Sequence, residues 1–173
     1  MMPSDIERFR KLVDYDPVTG VFTWSKAVKP WPRRLPGSVA GGLNKHGYWE
    51  VRTSGMRAFG HRLAWAFMTG EWPQHIVDHI DTDRANNAWS NLRAADPSES
   101  SWNTAHRVLP MSGVKGVSWH ELAKKWDVRV CVRGQLFRER HALLADAEAA
   151  AIRLRNRHHG QYANHKSLEN CHG

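Results

Sequence analysis

Cysteine is nearly absent. The 173-residue chain has two, Cys131 and Cys171, far apart and outside any CxxC pair, so a four-cysteine zinc site is excluded. Both thiols are expected to be free, as in a reducing compartment. Long apolar runs are missing as well. No stretch approaches the ~18 residues of a membrane span, and the opening MMPSDIERFRK lacks the apolar centre of a signal peptide. The expectation is a soluble, cytoplasmic protein that makes no use of a membrane. Negative charge is also scarce: 25 Lys and Arg face 17 Asp and Glu, a net charge of +8. That balance favours an acidic polymer as partner, either nucleic acid or an anionic surface.

What is present suits small cores. Hydrophobic residues make up 41% of the chain and nine are Trp, enough for one or two compact domains but not for one large core. Ile6, Phe9, Leu12 and Val13 are spaced for one face of a helix over 4–13. In DYDPVTGVFTW, residues 14–24, a Pro-to-Gly turn leads into a hairpin or strand. Residues 29–42, rich in Pro, Gly and Arg, read as surface, and 48–52 and 57–59 read as strands around a Ser54-Gly55 turn. His61, ahead of Leu63, Ala64, Trp65 and Phe67, opens an amphipathic run and reads as a packing residue.

The segment 77–103, VDHIDTDRANNAWSNLRAADPSESSWN, brings together the residue types of a one-metal nuclease site. Asp78 offers a divalent cation a hard oxygen, and His79 accepts a proton from water near neutral pH. Asn86, Asn87 and Asn91 suit a tight loop, because Asn tolerates left-handed backbone and its amide can bridge loop carbonyls and the imidazole. Asp81 and Asp83 read as loop residues. Asp96-Pro97-Ser98-Glu99 is an N-cap, a first-turn Pro and a capping-box Glu, so a helix begins there. It carries Ser100, Asn103 and Thr104 on one face.

This order of residues resembles the HNH endonucleases of the phage and homing type, in which DHID is followed by an Asn-rich loop, an Asn-Leu step and a PSEN-like helix start. The resemblance implies a ββα-metal unit with Asp78 as a ligand of Mg²⁺ or Mn²⁺, His79 as general base, and Asn91 as the loop residue that orients the histidine. The second protein ligand of the family falls at Ser100, where the usual Asn or His is missing. Asn103, one turn later, is the alternative, and His106 a further one. The Asp-Pro-x-Thr-Gly start and HRLAW also resemble the opening of this group and join 1–107 into one catalytic domain.

The second half reads differently. VLPMSG, 108–113, breaks the pattern and reads as a linker. Residues 114–118, 126–133 and 135–140 alternate like three antiparallel strands, the last two joined through Gly134. A helix follows with Asp146 as N-cap, Ala147, Ala150, Ala151, Leu154 and His158 at helical spacing, and Arg153, Arg155 and Arg157 towards solvent. Basic excess is denser here, with 11 Lys or Arg against 6 Asp or Glu in 108–173 and 14 against 11 in 1–107.

The run from SGVKGVSW to HHGQYAN resembles the AP2 DNA-binding domain across about 55 residues of 114–173. Similar domains lay a three-stranded sheet in the major groove. Alternation puts Trp126, Val128, Val130 and Val132 on a helix-facing side and Asp127, Arg129, Cys131 and Arg133 on the other. The resemblance implies DNA contacts from Lys115, Trp119, Lys124, Lys125, Arg129, Arg133 and Arg138. The whole is read as an α+β protein: a metal-dependent endonuclease, most simply a nickase, acting on double-stranded DNA as a monomer or weak dimer. Such proteins are frequent in phages and mobile elements. Two other readings stand beside it: a DNA-binding regulator with a degenerate HNH domain, and a structure-specific phage nuclease.

Overall fold

The computed structural model describes residues 3–26, 35–53, 55–103 and 110–165. Ser54, Thr104, His106, Cys171, residues 29–34 of the Pro- and Arg-rich stretch 29–42 and the first two positions of 108–113 lie outside them. The protein is α+β, built of several small antiparallel sheets, and divides into two compact units, Met1–Ala95 and Asp96–Gly173.

The first unit begins with α1 (Pro3–Arg10), which buries Ile6 and Phe9. The helix is shorter than the spacing suggests. The backbone turns at Lys11 and Leu12, and Val13 is buried at the start of a strand. β1 (Val13–Tyr15) and β2 (Phe22–Trp24) form the expected hairpin. Asp16 closes its turn by accepting from the Val18 amide and the Thr19 hydroxyl. Next, β3 (Gly42–Leu43), β4 (Trp49–Thr53) and β5 (Met56–Phe59) make an antiparallel sheet with β4 at its centre.

α2 (Gly60–Thr69) follows β5 without a loop and buries His61, Leu63, Ala64 and Ala66. It stops at Gly70, whose left-handed backbone (φ 82°) caps the last turn as glycine alone does cheaply. β6 (Ile76–His79) and β7 (Leu92–Ala95) pair antiparallel, with His79 opposite Leu92 and Asp78 opposite Arg93. Phe9, Val13, Phe22, Val51 and Leu63 are the largest fully buried side chains of this core. A large-to-small change at Phe22 costs about 3–5 kcal/mol.

The second unit opens on α3 (Pro97–Trp102), capped by a reciprocal pair: Asp96 accepts from the Glu99 amide and Glu99 from the Asp96 amide. β8 (Val117–His120), β9 (Lys125–Val132) and β10 (Gln135–His141) form one antiparallel sheet with β9 in the middle. α4 (Leu144–His159) packs on one face through Ala147, Ala150, Ala151 and Leu154 against Val117, Val128 and Val130. Small residues on the helix let it approach the sheet closely. Two expectations are corrected here. The helix starts before Asp146, with Leu143 as a cap that makes no side-chain bond. Arg155 is buried, not solvent-facing, because its guanidinium donates to the carbonyl of Lys115 at 2.6 Å.

α3 is held by this unit. The Trp102 ring stacks on His159 at 4.6 Å and 6°, Lys115 donates to the Trp102 carbonyl at 3.0 Å, and Asn164 donates to the Asn103 carbonyl at 2.6 Å.

Candidate active site

His79 ends β6 and is 4% exposed. Its Nε2 meets the Asn87 side-chain oxygen at 3.3 Å. The same amide donates its nitrogen to the Ala85 carbonyl at 2.9 Å, so the oxygen is the atom that faces the ring. Nε2 therefore carries the proton, and the basic lone pair lies on Nδ1. Burial pushes the imidazole below its usual range, against the opposing pull of Asn87, Asp81 and Asp78. The ring is thus neutral at pH 7, the state a general base requires.

Asn87 itself is 1% exposed and tightly enclosed. Tyr15 donates its hydroxyl to the Asn87 carbonyl at 2.8 Å. A methyl group added at Gly20 (φ 75°) would stand 2.2 Å from the Ala88 nitrogen and 2.4 Å from the Asn87 carbonyl carbon. One added at Gly60 would stand 2.9 Å from the Asn87 amide nitrogen. Only glycine admits both approaches. The Tyr15 hydroxyl is pushed up to about 12 by burial and by Asp16, so it stays a donor.

The Asn91 side chain holds the loop that follows the histidine. Its amide donates to Asp81 Oδ1 and to the Asn86 carbonyl, both at 2.9 Å, and its oxygen accepts from the Asp81 amide at 3.1 Å. It clamps the loop after the histidine, and Asn87 is the residue on the ring. Asp81 is the loop's hub. Burial alone would raise its carboxyl, yet Asn91, Asn86 and the Asp83 amide hold it below the ordinary value. Left-handed backbone falls at Thr82 (φ 69°) and at none of the asparagines.

Asp78 is an ion pair with Arg93 directly across the ladder, at 3.0 Å, with both side chains nearly buried. Among the described residues no cluster of three or more His, Cys, Asp or Glu is placed to hold a metal. One hard carboxylate beside a buried imidazole fits an ion that keeps most of its water and is completed by substrate phosphate, as Mg²⁺ does. It does not fit a preformed protein cage. Ser100 lies within α3, half-buried, and Asn103 caps that helix, buried.

His61 packs directly on the candidate base. Its ring meets that of His79 edge-on at 5.0 Å, and its Nδ1 is buried without a hydrogen-bond partner among the described residues. Burial, then His79 and Arg62, push it down to about 3. The helical spacing of HRLAW carries the burial of this side chain but not its neighbour.

On the sheet of the second unit the expected cations fare unequally. Asp127 is fully buried on the face opposite α4, because Arg129, Arg138 and Arg140 converge on it at 2.6, 2.6 and 3.1 Å. Register explains this: Arg140 lies opposite Asp127 and Arg138 opposite Arg129. Arg138 first, then Arg129 and Arg140, hold the carboxyl well below its ordinary value despite burial. Arg133 pairs with Asp96 at 3.1 Å and Lys124 with Glu121. Trp119 packs edge-on against Trp126 at 5.2 Å. Lys125 stands exposed at the start of β9. Lys115 is half-buried on the Trp102 carbonyl and is pushed down to about 8 by burial and by Arg155. In this structure it ties the Trp102 carbonyl to the start of the sheet.

A β6–loop–β7 pair with a buried histidine after an aspartate, followed in the chain by a capped helix, is the arrangement expected of an HNH endonuclease domain. Residues 58–101 match the HNH endonuclease family model, and the chain belongs to the HNH endonuclease family. It is similar to Protein 3.8 of Escherichia phage T7, with 36% identity over 104 residues, 60% of this chain and 86% of that protein. No solved structure matches the chain significantly. Among the described residues no helix is long and apolar enough to cross a membrane.

Proposed function

We propose that the chain is a metal-dependent DNA endonuclease in which His79 activates water and Asp78 holds one Mg²⁺ or Mn²⁺ ion. The buried His79, its Nε2 held against the Asn87 side-chain oxygen, is the observation that carries this reading. Nδ1 takes a proton from water as the oxygen attacks phosphorus, and the P–O bond to the 3′ oxygen breaks. The bound ion would neutralise charge on the phosphate and the departing oxygen. Asn87 keeps the tautomer, and the Asn91–Asp81 clamp fixes the backbone beyond His79. Ser100 and Asn103 are the candidates for a second ligand. One such site nicks one strand at a time.

The second unit is proposed as an AP2-like module that grips double-stranded DNA through Lys125, Arg129, Arg138 and Arg140, with Trp119, Lys124 and Arg133 at the margins. What supports it is a three-stranded sheet covered by a helix on one face and carrying arginines on the other. Asp127 neutralises part of that charge, so binding rests on the excess.

Conversion of supercoiled plasmid to open circles with Mg²⁺, and its loss with EDTA, tests the reading. One observation favours the DNA-binding regulator instead: the Asp78 carboxylate is already paired with Arg93. Binding without cleavage at any Mg²⁺ or Mn²⁺ concentration would establish that alternative. Selection of bound sequences from a random pool separates targeted cutting from a structure-specific nuclease.

A further inference from the structure

The first unit has an open groove of about 830 Å³ between the β3–β4 turn, β5 and α2, lined by Lys45, His46, Arg52, Arg57, Phe59 and Arg62 among others. Its cations are unequally engaged. Glu50, the one carboxylate in the lining among the described residues, is taken by Arg52 at 2.6 Å, and Arg62 donates to the Pro73 carbonyl at 3.1 Å. Lys45 and Arg57 are exposed and have no anionic partner among the described residues. A concave wall with uncompensated positive charge concentrates field lines and attracts a polyanion.

The groove also runs close to the chemistry. Phe59, 41% exposed, lies flat on His61 at 5.8 Å and 15°, and His61 meets His79 at 5.0 Å. Those two ring contacts place the groove wall within the span of about three nucleotides of His79, at ~3.4 Å per nucleotide of one strand. An exposed aromatic face between cations is suited to a sugar or base next to its phosphates.

We propose that this groove holds the backbone of the DNA strand being cut, on one side of the phosphodiester at His79, with Lys45 and Arg57 as phosphate contacts. The proposal rests on the nuclease reading and adds the path of the substrate to it.

The test uses the full chain and a short duplex. Lys45→Gln with Arg57→Gln raises KM about ten- to a hundredfold with kcat within twofold, because the lost contacts act on bound phosphate and not on the reacting atoms. In the non-cutting His79→Ala background the same pair lowers the log–log salt slope of binding by about 1.8, near 0.9 per phosphate. Lys45→Arg with Arg57→Lys keeps both charges and restores KM and slope, which separates charge from folding. Unchanged KM and slope overturn the proposal, as does a charge-keeping pair as impaired as the neutral one. A wild-type chain that never cuts sinks the nuclease reading alone, since the salt slope still decides whether the groove binds DNA.

Discussion

Asn87 is the side chain on which the His79 arrangement depends. His79→Ala is expected to lower cleavage about 10²–10⁴-fold while DNA binding changes only a few-fold, since a general base makes no phosphate contact. A His79→Ala protein that cuts plasmid at the wild-type rate would remove the base from this position. Asn87→Ala frees the ring to change tautomer and leaves a cavity beside Gly60 and the Ala85 carbonyl. It should lower kcat and move the acid limb of the pH–rate profile, with KM little altered. An unmoved profile would mean the amide only fills space. The Asp-His pair was legible in the sequence because adjacent residues carry its chemistry. Which asparagine reaches the ring was not, because the loop path is set by Tyr15 and Gly20, more than fifty residues earlier in the chain.

At the scale of elements, alternation told the two faces of β9 correctly but not their burial. Val128 and Val130 lie under α4 as the period-2 pattern requires. Asp127, on the other face, is buried all the same, since cross-strand register brings three guanidinium groups over it. Strand alternation contains no information about that pairing. The cluster makes stability depend on acid in one direction. An Asp carboxyl titrates near ~3.9 when unfolded, and in the fold the arginines hold it lower. Its contribution is complete above about pH 4 and is lost as pH falls through the folded value. Melting of the wild type should therefore decline below about pH 4. Asp127→Asn should be less stable at neutral pH, by about 1–3 kcal/mol, and its melting temperature should be flatter over the acid range. Equal acid slopes for the two proteins would show that the carboxylate adds nothing.

At the scale of the whole molecule, α3 shows why chain order alone misleads. Pro110 and Gly113 form a turn after it, with the Gly113 amide on the Pro110 carbonyl, as the Pro-Gly spacing suggests. Those residues say nothing of what α3 packs on. Six residues are too few for a helix to hold itself in water, and Lys115, His159 and Asn164 all engage its C-terminal end. A chain cut after Arg107 keeps Asp78, His79, Ser100 and Asn103 but loses these three partners. It is expected to show no plasmid cleavage where the full chain cuts, and comparable activity would mean that α3 stands without them.

The Gly20 contact has a kinetic consequence. Gly20 and the Asn87–Ala88 peptide touch across sixty-seven residues of chain, and closing so long a loop comes late and costs entropy before any contact repays it. Secondary structure in a refolding chain would therefore appear first, and the oriented imidazole only when the hairpin turn docks. Nuclease competence should lag behind the recovery of helix and strand signal, and a Gly20→Ala chain, unable to seat that peptide, should lengthen the lag or never complete it.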